Sequence, residues 1–355
     1  MSAAKLALIG TGNVGRAVLA RLAHWDGRGP GERLRLAAVA NTRSLRIFAG
    51  SGAALSARDG DQAQAAVRAL GGRGLRIAID ATASDALAAR HAEWLASGIH
   101  VVTACKLGQG ASLARWMEIR DAAARGGACY GDSATVGAGL PLLRTIRALR
   151  AGGDRIHGIA GVLSGSLAWL LSRCDGRRPF AELVDEARAL GYTEPDPRQD
   201  LSGEDVRRKL LILARAAGVA LEPDAVAVRP LDAAALAEAQ AHAQAQAGGV
   251  LRYVARLECG GDARSRARVG LEVLPAGDPL AAGTGTDNRV AIHSDRYPAQ
   301  PLLIQGPGAG AEVTAAALLD DALRIAGEAS AYAAVVVPRA SAARYAGSGC
   351  GWSMA

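Results

Sequence analysis

Only three of the 41 basic residues are lysines: Lys5, Lys106 and Lys209. Either basic residue serves as a surface charge, but only lysine readily gives up its proton when partly buried. In so arginine-biased a chain, a lysine near a polar cluster is a candidate for proton transfer. Lys106 ends the run Val101-Val102-Thr103-Ala104-Cys105-Lys106, so it would stand at the end of a strand. Lys209 follows Asp205 by four residues, which puts both on one helix face. Upstream lies Tyr192-Thr193-Glu194-Pro195-Asp196-Pro197-Arg198-Gln199-Asp200. Its two prolines hold the chain extended, and Glu194, Asp196, Asp200 and Asp205 crowd before Lys209. Such a loop suits capture of an amino group and favours a charged lysine. An isolated Asp–Lys pair is ordinarily a surface ion pair; the acidic stretch is what favours a site.

A second motif is Gly10-Thr11-Gly12-Asn13-Val14-Gly15, after strand-like Lys5 to Ile9 and before a helical pattern. In that setting the glycines give a tight turn, close backbone approach to a pyrophosphate, and close helix–strand packing. The helix start offers free N–H groups to phosphate. At the end of the next strand, Ala40-Asn41-Thr42-Arg43-Ser44 has no carboxylate for a ribose hydroxyl pair. Arg43, with Arg46 nearby, could meet a 2′-phosphate, so NADP(H) is expected over NAD(H). The alternative is that Arg43 is a solvated loop charge.

Strands over Lys5–Ile9, Leu34–Ala40, Ile77–Ala81 and His100–Thr103 must position these groups. They alternate with helices over Arg16–His24, Ala86–Ser97 and Leu113–Arg125. The alternation predicts a doubly wound parallel sheet. Thr82 and Thr103 then fall at its carboxyl edge, where ligands bind. After Pro141 the pattern changes. Helices are expected over Leu142–Ala151, Ser166–Cys174, Phe180–Leu190 and Glu204–Ala217, the last opened by a Ser202-x-x-Asp205 cap. The segment Ala233–Ala247 reads as helix or linker. Strands over Ile156–Val162, Val250–Leu257, Ala267–Val273 and Asn288–His293 predict a second sheet. Leu302–Ile304, the turn Gly306–Gly310 and a helix over Glu312–Ala326 read as a return to the first domain. The division is thus 1–141, dinucleotide-binding; 142–300, substrate-binding and dimerisation; 301–328, the return; and 329–355, a Gly/Ser-rich tail.

Composition excludes several classes. The net charge is +7, but the arginines are scattered and form no basic run, so no nucleic-acid partner is expected. The five cysteines are odd in number and lack metal spacing. The six histidines form no cluster and read as structural or exposed. No leader pattern or bilayer-length apolar run is visible, so a cytoplasmic location without membrane contact is expected.

Six motifs carry a resemblance to a known family: GTGNVG at Gly10, VVTACK at Val101, ATVGAGLP at Ala134, GVLSGSL at Gly161, GYTEPDPRQDLSGEDVRRKLLILAR at Gly191 and GPGAGAEVTA at Gly306. From about Lys5 to Gly327 the chain resembles homoserine dehydrogenase, and more closely the dehydrogenase half of bifunctional aspartokinase–homoserine dehydrogenases. The resemblance implies a Rossmann-type α/β domain plus a second α+β domain that dimerises. It also implies NADP-linked interconversion of L-aspartate 4-semialdehyde and L-homoserine, a step toward threonine, methionine and isoleucine. By position, Lys106 and Lys209 match catalytic lysines, and Glu194, Asp205, Asp200, Tyr192, Gly165 and Ser166 match substrate positions. The cofactor positions are Gly10, Thr11, Gly12, Asn13, Val14, Gly15, Asn41, Arg43, Thr82, Thr103, Lys106, Gly310 and Glu312. A monovalent cation is implied at Ser133, Val136 and Ala138.

There are departures. Cys105 replaces the usual Asn, Ser133 replaces the family's acid with Asp132 one place earlier, and Ser164 and Ser166 replace Asn and Thr. Neither a kinase half nor a regulatory domain is read among these motifs, so threonine feedback through such a domain is not expected. Two other readings stay open: a dehydrogenase of another small amino-acid-derived carbonyl, and a silent dinucleotide-binding homologue.

Overall fold

The protein is described by a computed structural model covering residues 3–48, 54–57, 61–174, 177–193, 196–245, 249–260, 265–283 and 285–335. Seven strands form the first sheet: β1 (Ala4–Ile9), β2 (Leu34–Ala40), β3 (Leu45–Phe48), β4 (Ala54–Ala57), β5 (Arg76–Asp80), β6 (His100–Thr103) and β7 (Tyr130–Gly131). Their spatial order is β4-β3-β2-β1-β5-β6-β7. The five strands β2-β1-β5-β6-β7 run parallel, and β3 and β4 add an antiparallel hairpin edge. Alternate residues serve opposite faces. Leu6, Leu8, Ile77 and Ile79 meet Val18 and Leu318 on one side. Ala7, Ile9, Ala78 and Val101 meet Val67, Trp94, Leu95 and Ile119 on the other. Burial on both faces accounts for the unbroken apolar strands.

The second sheet holds β8 (Ile156–Val162), β9 (Val226–Val228), β10 (Val250–Glu258), β11 (Arg266–Leu274), β12 (Asp287–Ser294) and β13 (Leu302–Pro307). Their order is β13-β12-β8-β10-β11-β9. Helices Leu142–Ala151, Gly165–Ser172 and Glu204–Ala216 pack on one face of it. Leu142, Ile146, Leu167, Leu170, Leu210 and Leu213 join Ile159, Leu257, Val290 and Ile292 in one core.

The structure departs from the sequence expectation in several places. Of the returning piece expected at 301–328, β13 pairs with β12 in the second sheet. The crossing back comes with the Ala311–Val335 helix, which packs on the first sheet. That helix extends into the expected tail, whose positions 336–355 lie outside the described residues. The helix expected over Ala86–Ser97 is two pieces, Asp85–Ala88 and His91–Ala96. Its break falls at Arg90, whose guanidinium is drawn to Asp61 and Gln64. The proline-stiffened stretch contains a helical turn, Arg198–Leu201, because Pro197 stands at its N-cap, where no N–H is needed.

Candidate active site

The helix that carries Lys209 starts at a glycine. Gly203 is its N-cap with φ 78°, a conformation that penalises side chains. A Cβ there would also lie 2.2 Å from the Tyr253 hydroxyl. The expected Ser202 cap therefore does not form; the Ser202 hydroxyl accepts from the Glu204 N–H at 3.2 Å. One turn on, Asp205 and Lys209 form their i,i+4 pair at 2.8 Å. The Lys209 ammonium also donates to the Leu163 carbonyl, just past β8, at 2.7 Å.

Lys106 arrives from the other sheet. It follows β6, and its ammonium lies 3.2 Å from the second oxygen of Asp205. Asp205 thus holds one amine on each oxygen. Burial pushes its carboxyl pKa up, but attraction to Lys209 and then Lys106 outweighs this and holds the group well below the usual carboxylate range. The Lys209 side chain is 12 % exposed and that of Lys106 34 %, so both amines are partly open to solvent.

Leu163 leads directly into Ser164 and the first of the expected substrate positions. Gly165 opens the Gly165–Ser172 helix, capped by Ser164. The Ser166 hydroxyl lies 2.9 Å from that of Ser164 and donates to Asp200 at 3.0 Å. Tyr192 is half exposed and stacks on Trp169 at 5.0 Å. Glu194 lies outside the described residues.

The glycine turn sits at the same sheet edge, two strands from β6, about 10 Å away. A Cβ on Gly15 would lie 1.9 Å from the Gly10 carbonyl oxygen, whereas one on Gly12 would meet nothing. The turn is therefore packed tightly behind and open in front, over the start of the Asn13–Trp25 helix. That open helix end fits a pyrophosphate. Val14 packs inward, and the Asn13 side chain accepts from Arg16 at 2.6 Å. Asn41 ties the cofactor-choice loop to the turn. Its amide donates to the Thr11 hydroxyl at 2.8 Å, and its oxygen accepts from the N–H groups of Arg43 and Ser44. Arg43 is exposed. Thr82 packs on Gly10 and bonds Asp80 through its N–H and hydroxyl.

Other expected positions face elsewhere. Thr103 is fully buried; its hydroxyl donates to the Asp80 carbonyl and accepts from the Cys105 N–H, so it shapes the Lys106 turn. Cys105 is buried, and burial pushes its thiol up to about 11. Gly310 caps the last helix through Thr314, and Glu312 lies 3.6 Å from Arg21 on the helix behind the turn.

The side chains at the implied cation position are already engaged. Ser133 gives its N–H and hydroxyl to Asp321 at 2.9 Å each, and fully buried Asp132 is held by both Arg147 nitrogens at 2.6 Å. Neither carboxylate is left for an ion at Ser133. Val136 and Ala138 are buried, Ala138 with φ 50°. Among the described residues no group of three or more His, Cys, Asp or Glu side chains could hold a metal ion.

Sequence reasoning missed a buried hydrogen-bond chain across the first domain. Asp80 bonds His91 at 3.0 Å, and the other ring nitrogen of His91 meets the Tyr130 hydroxyl at 2.9 Å. The one signal was an aspartate ending an apolar strand.

A phosphate cradle and two amines on one sheet edge, closed by a second domain, form the scaffold of a nicotinamide-linked dehydrogenase. Family comparison narrows that class. Residues 10–130 match the NAD-binding domain of homoserine dehydrogenase, and residues 141–323 match homoserine dehydrogenase itself. The chain belongs to the homoserine dehydrogenase family, whose members are NAD(P)-dependent oxidoreductases. It is 44 % identical over 268 residues to the bifunctional aspartokinase/homoserine dehydrogenase 2 of Escherichia coli, covering 70 % of this chain and 33 % of that one. The chain thus spans about a third of that bifunctional relative. The homoserine dehydrogenase of Emericella nidulans is 37 % identical over 281 residues, covering 71 % of this chain and 76 % of that one. A solved homoserine dehydrogenase from Thiobacillus denitrificans superposes with a TM-score of 0.74 at 25 % identity, covering 94 % of this chain and 76 % of that one.

Proposed function

We propose that the chain interconverts L-homoserine and L-aspartate 4-semialdehyde, with NADP(H) favoured over NAD(H). The observation that carries this reading is the single carboxylate, Asp205, bridging the amines of Lys106 and Lys209 at the edge that also bears the glycine turn. The nicotinamide supplies or accepts the hydride when bound. Lys209 is the proton donor to the alkoxide oxygen and the acceptor in reverse. Lys106 stabilises the charge that develops there. Asp205 orients both amines, and the Leu163 carbonyl fixes the Lys209 rotamer. The substrate ammonium falls to Glu194 by resemblance, and Asp200 and Ser166 are substrate positions by the same resemblance. The NADP preference rests on Arg43 and on the lack of a carboxylate after β2. A homodimer through the second sheet and a cytoplasmic location complete the proposal.

The test is absorbance at the nicotinamide band with purified protein, homoserine and either NADP or NAD. Turnover with homoserine, faster with NADP, is expected. Turnover only with another amino alcohol, or none with any, would overturn the substrate reading.

A further inference from the structure

Arg215 lies on the Lys209 helix but is absent from the described ion pairs, although only 3 % of its surface is exposed. Its guanidinium donates to the Gln109 carbonyl, to that of Ala111 at 2.8 Å and to that of Leu221 at 2.9 Å. The Trp116 ring lies 5.8 Å away. Two of the three acceptors belong to the loop that leaves Lys106.

That loop is pressed against the same helix. The Gly110 N–H closes on the Lys106 carbonyl at 2.6 Å. A Cβ on Gly110 would lie 2.8 Å from the Lys106 carbonyl oxygen and 3.0 Å from that of Arg208. The loop backbone therefore rests on helix backbone with no room for a side chain. One helix thus carries Asp205 and Lys209 in its first half and the clamp on the Lys106 loop in its second, about 9 Å further on.

Burying a cation whose hydrogen-bond acceptors are all carbonyls is a poor way to gain stability. A planar fork is suited to hold two carbonyls two residues apart; a lysine offers no such fork. We infer that Arg215 is a positioning residue, one that sets the Lys106 amine against Asp205 and Lys209 by clamping residues 109–111. The inference rests on the proposed roles of the two lysines. Burial draws the Arg215 pKa down to about 10, against the opposing attraction of Glu222.

The test is a double-mutant cycle on kcat, with Arg215→Lys and Lys106→Met singly and together. Cofactor affinity is read by the fluorescence of NADPH and folding by thermal melting. Arg215→Lys is expected to lower kcat about 10- to 100-fold, the scale of a small misplacement, with NADPH affinity changed less than about twofold. In the Lys106→Met background the same substitution should lower kcat little, because the group it positions is gone. Equal losses in both backgrounds would overturn the clamp, as would a lowered melting temperature with unchanged kcat. Gly110→Ala, which displaces the loop while keeping the guanidinium, should mimic the effect even where Arg215→Lys folds poorly. If Lys106→Met itself leaves kcat unchanged, the proposed site fails instead, and the two failures are distinct.

Discussion

Two amines share one carboxylate, so each substitution in the trio should have its own signature. Lys209→Met removes the group held by both Asp205 and Leu163 and should lower kcat about 10²- to 10⁴-fold. Lys106→Met should lower it less, because Lys209 keeps both partners. Single-turnover absorbance separates that chemical step from release. Asp205 also gives a pH prediction. Its folded pKa lies below the unfolded value, so its contribution is full above the ordinary carboxylate range and lost as pH falls toward the folded value. The gap in melting temperature between the parent protein and Asp205→Asn should be flat from about pH 8 to about pH 5 and narrow below that. A gap widening in acid would refute the assignment. Because 44 % of the Asp205 side chain is open to solvent, screening limits the stability at stake. These residues were legible because lysine is rare here and i,i+4 spacing is a strong constraint. Arg215 was not: in Leu-Leu-Ile-Leu-Ala-Arg-Ala it resembles any arginine at a helix end, and only the fold shows that it points at carbonyls.

Elements bring these side chains together, and the sharpest constraint is the start of the Glu204–Ala216 helix. Gly203 adopts a left-handed conformation directly over the Tyr253 hydroxyl. A Cβ there costs about 1–2 kcal/mol in backbone strain and about 1–3 kcal/mol in overpacking. Gly203→Ala should therefore destabilise by about 2–5 kcal/mol in urea unfolding. Repeating it on Tyr253→Phe should remove the clash with the hydroxyl and leave the backbone part and the lesser contacts with Val228 and the ring. Equal losses in both backgrounds would show that the hydroxyl contact is unimportant. Helices with apolar periodicity and the central parallel strands were legible because burial writes a period into sequence. The β3–β4 hairpin, two-residue β7 and three-residue β9 were not, since such short runs carry no period. The place of β13 was also hidden, because its residues alternate between partly buried and exposed and do not name the sheet they join.

At the scale of the molecule, the two domains are pinned where the sequence implied a cation. Arg147, on the first helix after Pro141, holds Asp132 beyond β7, and Asp321 of the returning helix holds Ser133 beside it. A carboxylate with no exposed side-chain surface depends on its partner. Arg147→Gln should cost toward the low end of about 3–5 kcal/mol, since the Arg147 side chain is itself 43 % exposed. Adding Asp132→Asn should recover much of that loss, because the orphaned charge is gone. The same arrangement predicts a response to salt. At constant ionic strength, replacing sodium or potassium by tetramethylammonium should leave melting temperature and kcat of the parent protein unchanged, because arginine already neutralises Asp132. In Arg147→Gln the freed carboxylate becomes a ligand, and melting should rise with sodium. A parent protein that loses activity in tetramethylammonium would instead place an ion on the backbone oxygens near Val136 and Ala138, and the arginine would not be its substitute.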